Sequence, residues 1–320
     1  GTSNTGAHVI INNDNSEEHA VKIRGGIPTP GYEMNWQAVY AMSQNGSTKD
    51  GSNTVKINGL VDIETNKATA LYAKGAYSKV SVGGGKISSA NYDAIWSVGA
   101  NASVNVNMLE DAEGNVTGAR NNKVQIVGNA ASTTKWYGGQ GIINLGLTTD
   151  DSYINGHIYG NGTNNLYLQN GASWINAVNG YNQWSTGQVT TNSIASAVTN
   201  LHGGNSSVAA GNIFQKEAAG LTIGNLDGHI NVFMAHNSDN SFDNIGNVTI
   251  CKASKLDGEN AVVNMITDNS NIDMTNTAAV NDTLNNLANK LFYTSYVDGE
   301  RNLDGYVKIT EGLTASSVTK

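Results

Sequence analysis

The chain has 320 residues, of which 37 are glycine, 46 asparagine and two proline (Pro28 and Pro30), and 14% are charged. Sparse charge and scarce proline exclude a disordered low-complexity segment, and a net charge of −8 with three arginines argues against a nucleic-acid partner. A single cysteine, Cys251, excludes an internal disulfide framework and any zinc site built on two thiolates.

No apolar run approaches the ~18 residues of a membrane-spanning helix, and the opening GTSNTGAHVI is neither basic nor apolar enough to read as a signal peptide. The first elements in chain order are short alternating segments that recur. AVYAM (38–42), ALYAK (70–74) and AIWSV (94–98) are each followed by a polar or glycine turn and a partner: TVKIN (54–58), KVSVG (79–83) and SVNVN (103–107). Ala70 to Ala94 and Val80 to Val104 are both 24 residues, Val55 to Val80 is 25, and the 32 from Ala38 to Ala70 accommodate an inserted loop, QNGSTKDGSN.

A period of two marks strands and not helices. A unit of about 24 residues holding two or three such strands is one coil of a parallel β-helix. A β-sandwich would also show short strands and frequent turns, but no self-similarity at this period. The predicted fold is therefore all-β, a right-handed parallel β-helix whose coils stack ~4.8 Å apart. Asparagine suits its corners, because it tolerates left-handed backbone angles and its amides can stack in ladders. Proline is scarce because a paired strand cannot spare its N–H.

Residues 1–160 read as coils, 161–275 as a C-terminal β-helix and 276–320 as a cap. The cap begins with a helix, whose apolar residues Val280, Leu284, Leu287 and Leu291 share one face, with Asn276 or Thr277 as N-cap. LFYTSYV (291–297) and LDGYVKI (303–309), joined by DGERN, read as a hairpin. Helix and hairpin together would cover the open end of the stack.

Three segments carry a resemblance: NLYLQNGASWINA (165–177), GLTIGNLDGHINVFMA (220–235) with IGNVTICKAS (245–254), and the tail DGYVKITEGLTASSV (304–318). Together they resemble the C-terminal part of the passenger domains of type V secreted autotransporters, the pertactin-like family. The second segment is similar to the region called the autochaperone, and the tail to the stretch that often precedes the linker and barrel. The match covers about residues 160–320, and the N-terminal half agrees in architecture only. The resemblance implies an adhesin displayed on a bacterial cell surface, exported through its own C-terminal outer-membrane barrel and binding a glycan or protein receptor on host cells, matrix or other bacteria, with self-association as a further possibility. Pertactin's RGD tripeptide and proline-rich loops are not present in this sequence.

No nucleophile elbow, zinc-binding helix motif, P-loop or dinucleotide fingerprint occurs, and no cofactor or metal is expected. The nearest approach to a catalytic cluster is TTDDSYINGH, with Asp150, Asp151 and His157, which reads more simply as a turn. HNSDNSFDN offers Asp239 and Asp243 as oxygen ligands without a calcium-loop spacing. Binding features are stronger. Tyr40, Tyr72 and Trp96 fall at equivalent positions of three coils and should stack in a ladder. If Val39, Leu71 and Ile95 point inwards the ladder points out, a platform for a sugar or protein; in the opposite register it fills the core. Trp136, Tyr137, Tyr181 and Trp184 sit in polar loops and are further candidates for contact with a ligand. Three readings stay open at this point: a non-enzymatic adhesin, a polysaccharide-active β-helix enzyme, and a structural stalk. Cys251 is expected to be a small buried apolar residue.

Overall fold

Alternation marks many of the described strands, and stacking sets where each strand goes. The computed structural model describes residues 6–25, 37–44, 47–66, 68–134, 138–177, 195–295 and 300–311. Within them the chain winds as a parallel β-helix with three faces.

The first face carries residues 8–11, 54–57, 79–82, 103–106, 142–147, 163–168, 200–202 and 225–227, each paired in parallel with the one before. The second runs from Val21–Gly25 through 61–65, 85–88, 124–127, 153–155, 173–176, 212–215, 230–234 and 262–266 to 304–310. The third begins with Val39–Met42, Leu71–Lys74, Ile95–Val98, Ala130–Thr133 and Ile158–Tyr159. Its last strand lies against Ser196–His202, whose first residues begin the series 196–198, 221–223, 248–250 and 291–293. The expected registers hold: Val39 lies over Leu71, Leu71 over Ile95, Val55 over Val80 and Val80 over Val104.

The interior is built from like side chains stacked on like. On the second face Ile63, Ile87, Ile126, Ile154, Trp174, Ile213, Val232 and Met265 form one continuous column, and all are buried. Trp174 fits among the aliphatics because its indole N–H donates to the Gly156 carbonyl at 3.0 Å, which satisfies the one polar atom it brings inside. At the end of the column Val307 is 36% exposed.

Corners are made by residues that accept left-handed angles. Five of the seven non-glycine residues with positive φ among those described are asparagines: Asn101, Asn107, Asn170, Asn240 and Asn271. That matches the role expected from composition. Where backbone must approach backbone, only glycine fits. At the bend in strand Lys79–Ser89, Gly85 has φ +106°, and a Cβ there would lie 2.1 Å from the Val61 carbonyl oxygen.

The C-terminal region partly departs from expectation. The helix forms over Thr277–Ala288 with Asn276 as N-cap, and buries Leu287 in the core. It packs against strands Ala261–Asp268 and Leu303–Thr310. The expected hairpin does not form. Strand Leu291–Tyr293 pairs in parallel with Val248–Ile250, and Leu303–Thr310 pairs in parallel with Ala261–Asp268. Neighbouring alternating segments joined by a short polar turn suggest a hairpin, but here the previous coil offers each of them a parallel partner already in place.

Removing a rung from a packed column leaves a cavity that its neighbours fill only in part. Ile126→Ala is expected to lower the free energy of unfolding by about 2–5 kcal/mol, measured in denaturant, whereas exposed Tyr306→Ala should change it by less than about 0.5 kcal/mol.

Candidate functional site

The aromatic ladder exists. Tyr40 stacks on Tyr72 at 5.2 Å between ring centroids with 13° between planes, and Tyr72 stacks on Trp96 at 4.8 Å and 16°. Its register is the outward one, since Val39, Leu71 and Ile95 lie in the interior. The rings are nonetheless covered: Tyr40 is 38% exposed, Tyr72 only 3% and Trp96 only 5%. Tyr72 and Trp96 form a second cluster with Val98, Ala131 and Tyr159, separate from the main core, and the Trp96 indole donates to Thr133 Oγ1 at 3.1 Å. Trp136, Tyr137, Tyr181 and Trp184 lie outside the described residues.

The carboxylate candidates do not converge. Asp151 is exposed and pairs with Lys123 at 3.3 Å, whereas His157 is buried on the third face. Asp239 caps its own turn by accepting from Ser241 N at 3.0 Å. Among the described residues no three histidine, cysteine or acidic side chains are placed to hold a metal ion. Cys251 is half-buried and not enclosed as expected.

At the corner before the third face, Asp93 is buried. Its carboxylate accepts from the Tyr159 hydroxyl at 2.9 and 3.0 Å. Burial pushes its pKa up to about 7, against hydrogen bonds from Tyr159 and Asn129 that pull it down.

A wide concavity lies elsewhere, on the outside of the first face, and was not foreseen. It is a groove of about 1250 Å³. Its floor crosses seven consecutive rungs, from His8 to His202, a length on the order of 30 Å at the inter-strand spacing. One wall is a hairpin, Met108–Glu110 paired antiparallel with Val116–Ala119, which interrupts the coil period. Its turn is closed by Asp111, which accepts from the Asn115 backbone at 2.7 Å. Two lysines from different coils then hold the turn over the floor: Lys49 Nζ donates to the Glu113 carbonyl at 2.7 Å and Lys79 Nζ to the Gly114 carbonyl at 2.5 Å.

The floor is amide-rich. Asn200 Nδ2 donates to Asn165 Oδ1 at 2.8 Å, Asn165 to Asn144 at 2.7 Å, and Asn144 to Asn105 at 2.8 Å. All point the same way, and Asn105 Nδ2 ends the chain by donating to Glu110 Oε1 at 2.7 Å. Glu110 also accepts from Ser81 Oγ at 2.8 Å and from Lys56 Nζ at 3.1 Å. Burial alone would raise its pKa, but the donors Asn105, Ser81 and Lys56 outweigh it and hold the carboxyl below its usual range. A polarised chain of amides ending on a carboxylate is stronger than its separate bonds.

Aromatic rings stand at two points of this groove. Tyr167 stacks on His202 at 4.4 Å, and His202 Nδ1 pairs with Asp227 at 2.8 Å. On the preceding coil the partner of Tyr167 is Gly146, whose outward side is met by Ala119 of the hairpin and by Asn107 just before it. Tyr77 stands at a corner with φ +58° and is 37% exposed. The next coil puts Asn101, φ +56°, at the equivalent place. The alternating segments TVKIN, KVSVG and SVNVN mark the strands of this face, with no facing assigned to their side chains. The hairpin that turns this flat face into a groove breaks the alternation and has no such mark.

By fold, then, the chain is a parallel β-solenoid with a hairpin-walled groove along one face. No protein-family model matches it, and compared with curated proteins and with solved structures it matches none.

Two outcomes follow from these buried carboxyls. Asp93 titrates higher folded than unfolded, so the stability it contributes is full below about pH 4 and is lost as pH rises through about 7. Asp93→Asn should remove that loss, by roughly 4 kcal/mol at most; denaturant midpoints of both proteins at acid and neutral pH should converge at low pH and favour the variant at high pH. Glu110→Ala, which leaves Asn105, Ser81 and Lys56 without their shared acceptor, should cost about 1–3 kcal/mol near neutrality and lose that penalty in acid, where the native carboxylate is also protonated.

Proposed function

We propose that this chain is a non-catalytic binding rod of the adhesin kind, which holds an extended partner along the groove of its first face. The observation that supports this reading is the groove itself: long, continuous over seven rungs and floored over four of them by a ladder of neutral amides. Acid–base catalysis needs two groups whose pKa values are driven apart within one site. Of the buried carboxyls described above, Glu110 is held ionised beside the groove, and Asp93, with its raised pKa, belongs to the third face.

The wider setting is likewise proposed and rests on the resemblance of residues 160–320 to autotransporter passengers. In it the rod is right-handed, stands on a bacterial cell surface, and is carried there by a C-terminal outer-membrane barrel of the same polypeptide. The helix Thr277–Ala288 helps close the last coils, and the receptor belongs to a host cell, the matrix or another bacterium. Many copies on one cell would turn weak single contacts into firm attachment. The buried part of the aromatic ladder has no place in this contact surface.

Beads coated with the purified chain should attach to at least one of cultured epithelial cells, matrix-coated plates or bacterial lawns. Asn200→Trp, which sets a bulky ring on the groove floor, should reduce attachment several-fold with an unchanged unfolding midpoint. Absence of attachment to all three surfaces, or release of short sugars from a polysaccharide by the purified chain, would overturn the reading, the second outcome in favour of an enzyme.

A further inference from the structure

We infer that the groove takes a neutral, linear glycan strand lying along the rod axis, with Tyr77 and Tyr167 as its sugar-stacking platforms. This rests on the binding-rod reading and gives it a ligand class.

The shape calls for a chain molecule. At about 1250 Å³ the groove exceeds the usual range of small-molecule pockets, and it is long and open rather than deep. Its floor repeats once per coil, at ~4.8 Å, which is close to the length of one sugar unit in an extended glycan. A peptide is a poor fit. Peptides that bind sheets add a strand to a free edge, but the strands of this floor run across the groove and already pair with the coils on either side. What remains for a ligand is side chains: amides, hydroxyls and rings, the groups that match sugar hydroxyls and sugar faces.

The charges call for a neutral partner. Lys56 is paired with Glu110 and His202 with Asp227. Lys49 and Lys79 are engaged with the hairpin carbonyls. Asp50 and Glu113 line the same groove, so its lysines are offset by carboxylates of the protein itself, and the Asn105–Asn144–Asn165–Asn200 floor carries no charge.

Tyr77 is the residue most plainly placed for a ligand. A left-handed angle costs a non-glycine residue roughly 1–2 kcal/mol, and the next coil meets the same demand with Asn101, a residue type that tolerates it. A tyrosine here sets a phenol on the rim of the groove at the expense of local stability, and such strain in a bulky side chain points to function. Tyr167, three coils further along and on the order of 15 Å away along the axis, supplies the second ring.

The test is calorimetric binding of the whole chain to cellohexaose, laminarihexaose, chitohexaose and mannohexaose, with hexagalacturonate and a heparin-derived hexasaccharide as charged probes. At least one neutral hexasaccharide should bind, with affinity changing less than about twofold between about 50 and about 500 mM salt. Tyr77→Asn should weaken that binding about tenfold while the unfolding midpoint stays or rises, a split that a structural role for Tyr77 would not produce. Tyr167→Ala should weaken it similarly and Tyr167→Phe should not. Binding only by the charged probes and lost in salt, full binding by Tyr77→Asn, or equal loss in Tyr167→Phe would each overturn the inference. If no hexasaccharide binds while coated beads still attach to cells or matrix, the glycan assignment falls and the binding-rod reading stands.

Discussion

Each coil of this protein is held by lying in register on the coil before it. Parallel pairing fixes which residue sits over which, so an inward position must carry a side chain that fills the same space as the one beneath. The column from Ile63 to Met265 is the result. The outward positions inherit the same register without the same demand for apolar filling, and on them the stacking of like on like produces amide and aromatic ladders in place of a core. Both surfaces of the sheet are thus products of one constraint, and the groove floor is as ordered as the interior because it is the other side of the same strands.

Corners are where this constraint relaxes. A coil must return to the same place, but the route it takes between faces is free, and insertions gather there. The hairpin of residues 108–119 leaves the coil after the strand of the first face and returns before that of the second, with the rungs on either side still in register. A structural rod thereby gains a wall without a change in its core. The two lysines that hold the hairpin turn come from earlier coils, so the wall is fastened to the floor that it shelters.

The parts of the fold legible in the sequence were those governed by period. Ala70 to Ala94 and Val80 to Val104 announced the stacking, the asparagine and glycine excess announced the corners, and the spacing from Val280 to Leu287 announced the helix. What escaped notice was non-periodic. MLEDAEGNVTGA breaks the repeat, and nothing in its own residues says which face it folds over. Tyr72 and Trp96 were legible as a ladder, but they are packed with Ala131 and Tyr159 of later coils, which no local pattern encodes. The hairpin expected near Leu303 failed for the complementary reason: local alternation identified the strands, and a partner distant in sequence determined their pairing.

The amides of the groove floor donate each towards the preceding coil, from Asn200 through Asn165 and Asn144 to Asn105, which turns its own donor onto Glu110 of the hairpin. A row of aligned dipoles has a head and a tail. One end of the floor finishes on a carboxylate, the other on an amide oxygen, and no rotation of the rod exchanges them. A polymer whose own two ends differ therefore meets two inequivalent orientations in this groove, so that the floor tells forward from backward as well as near from far.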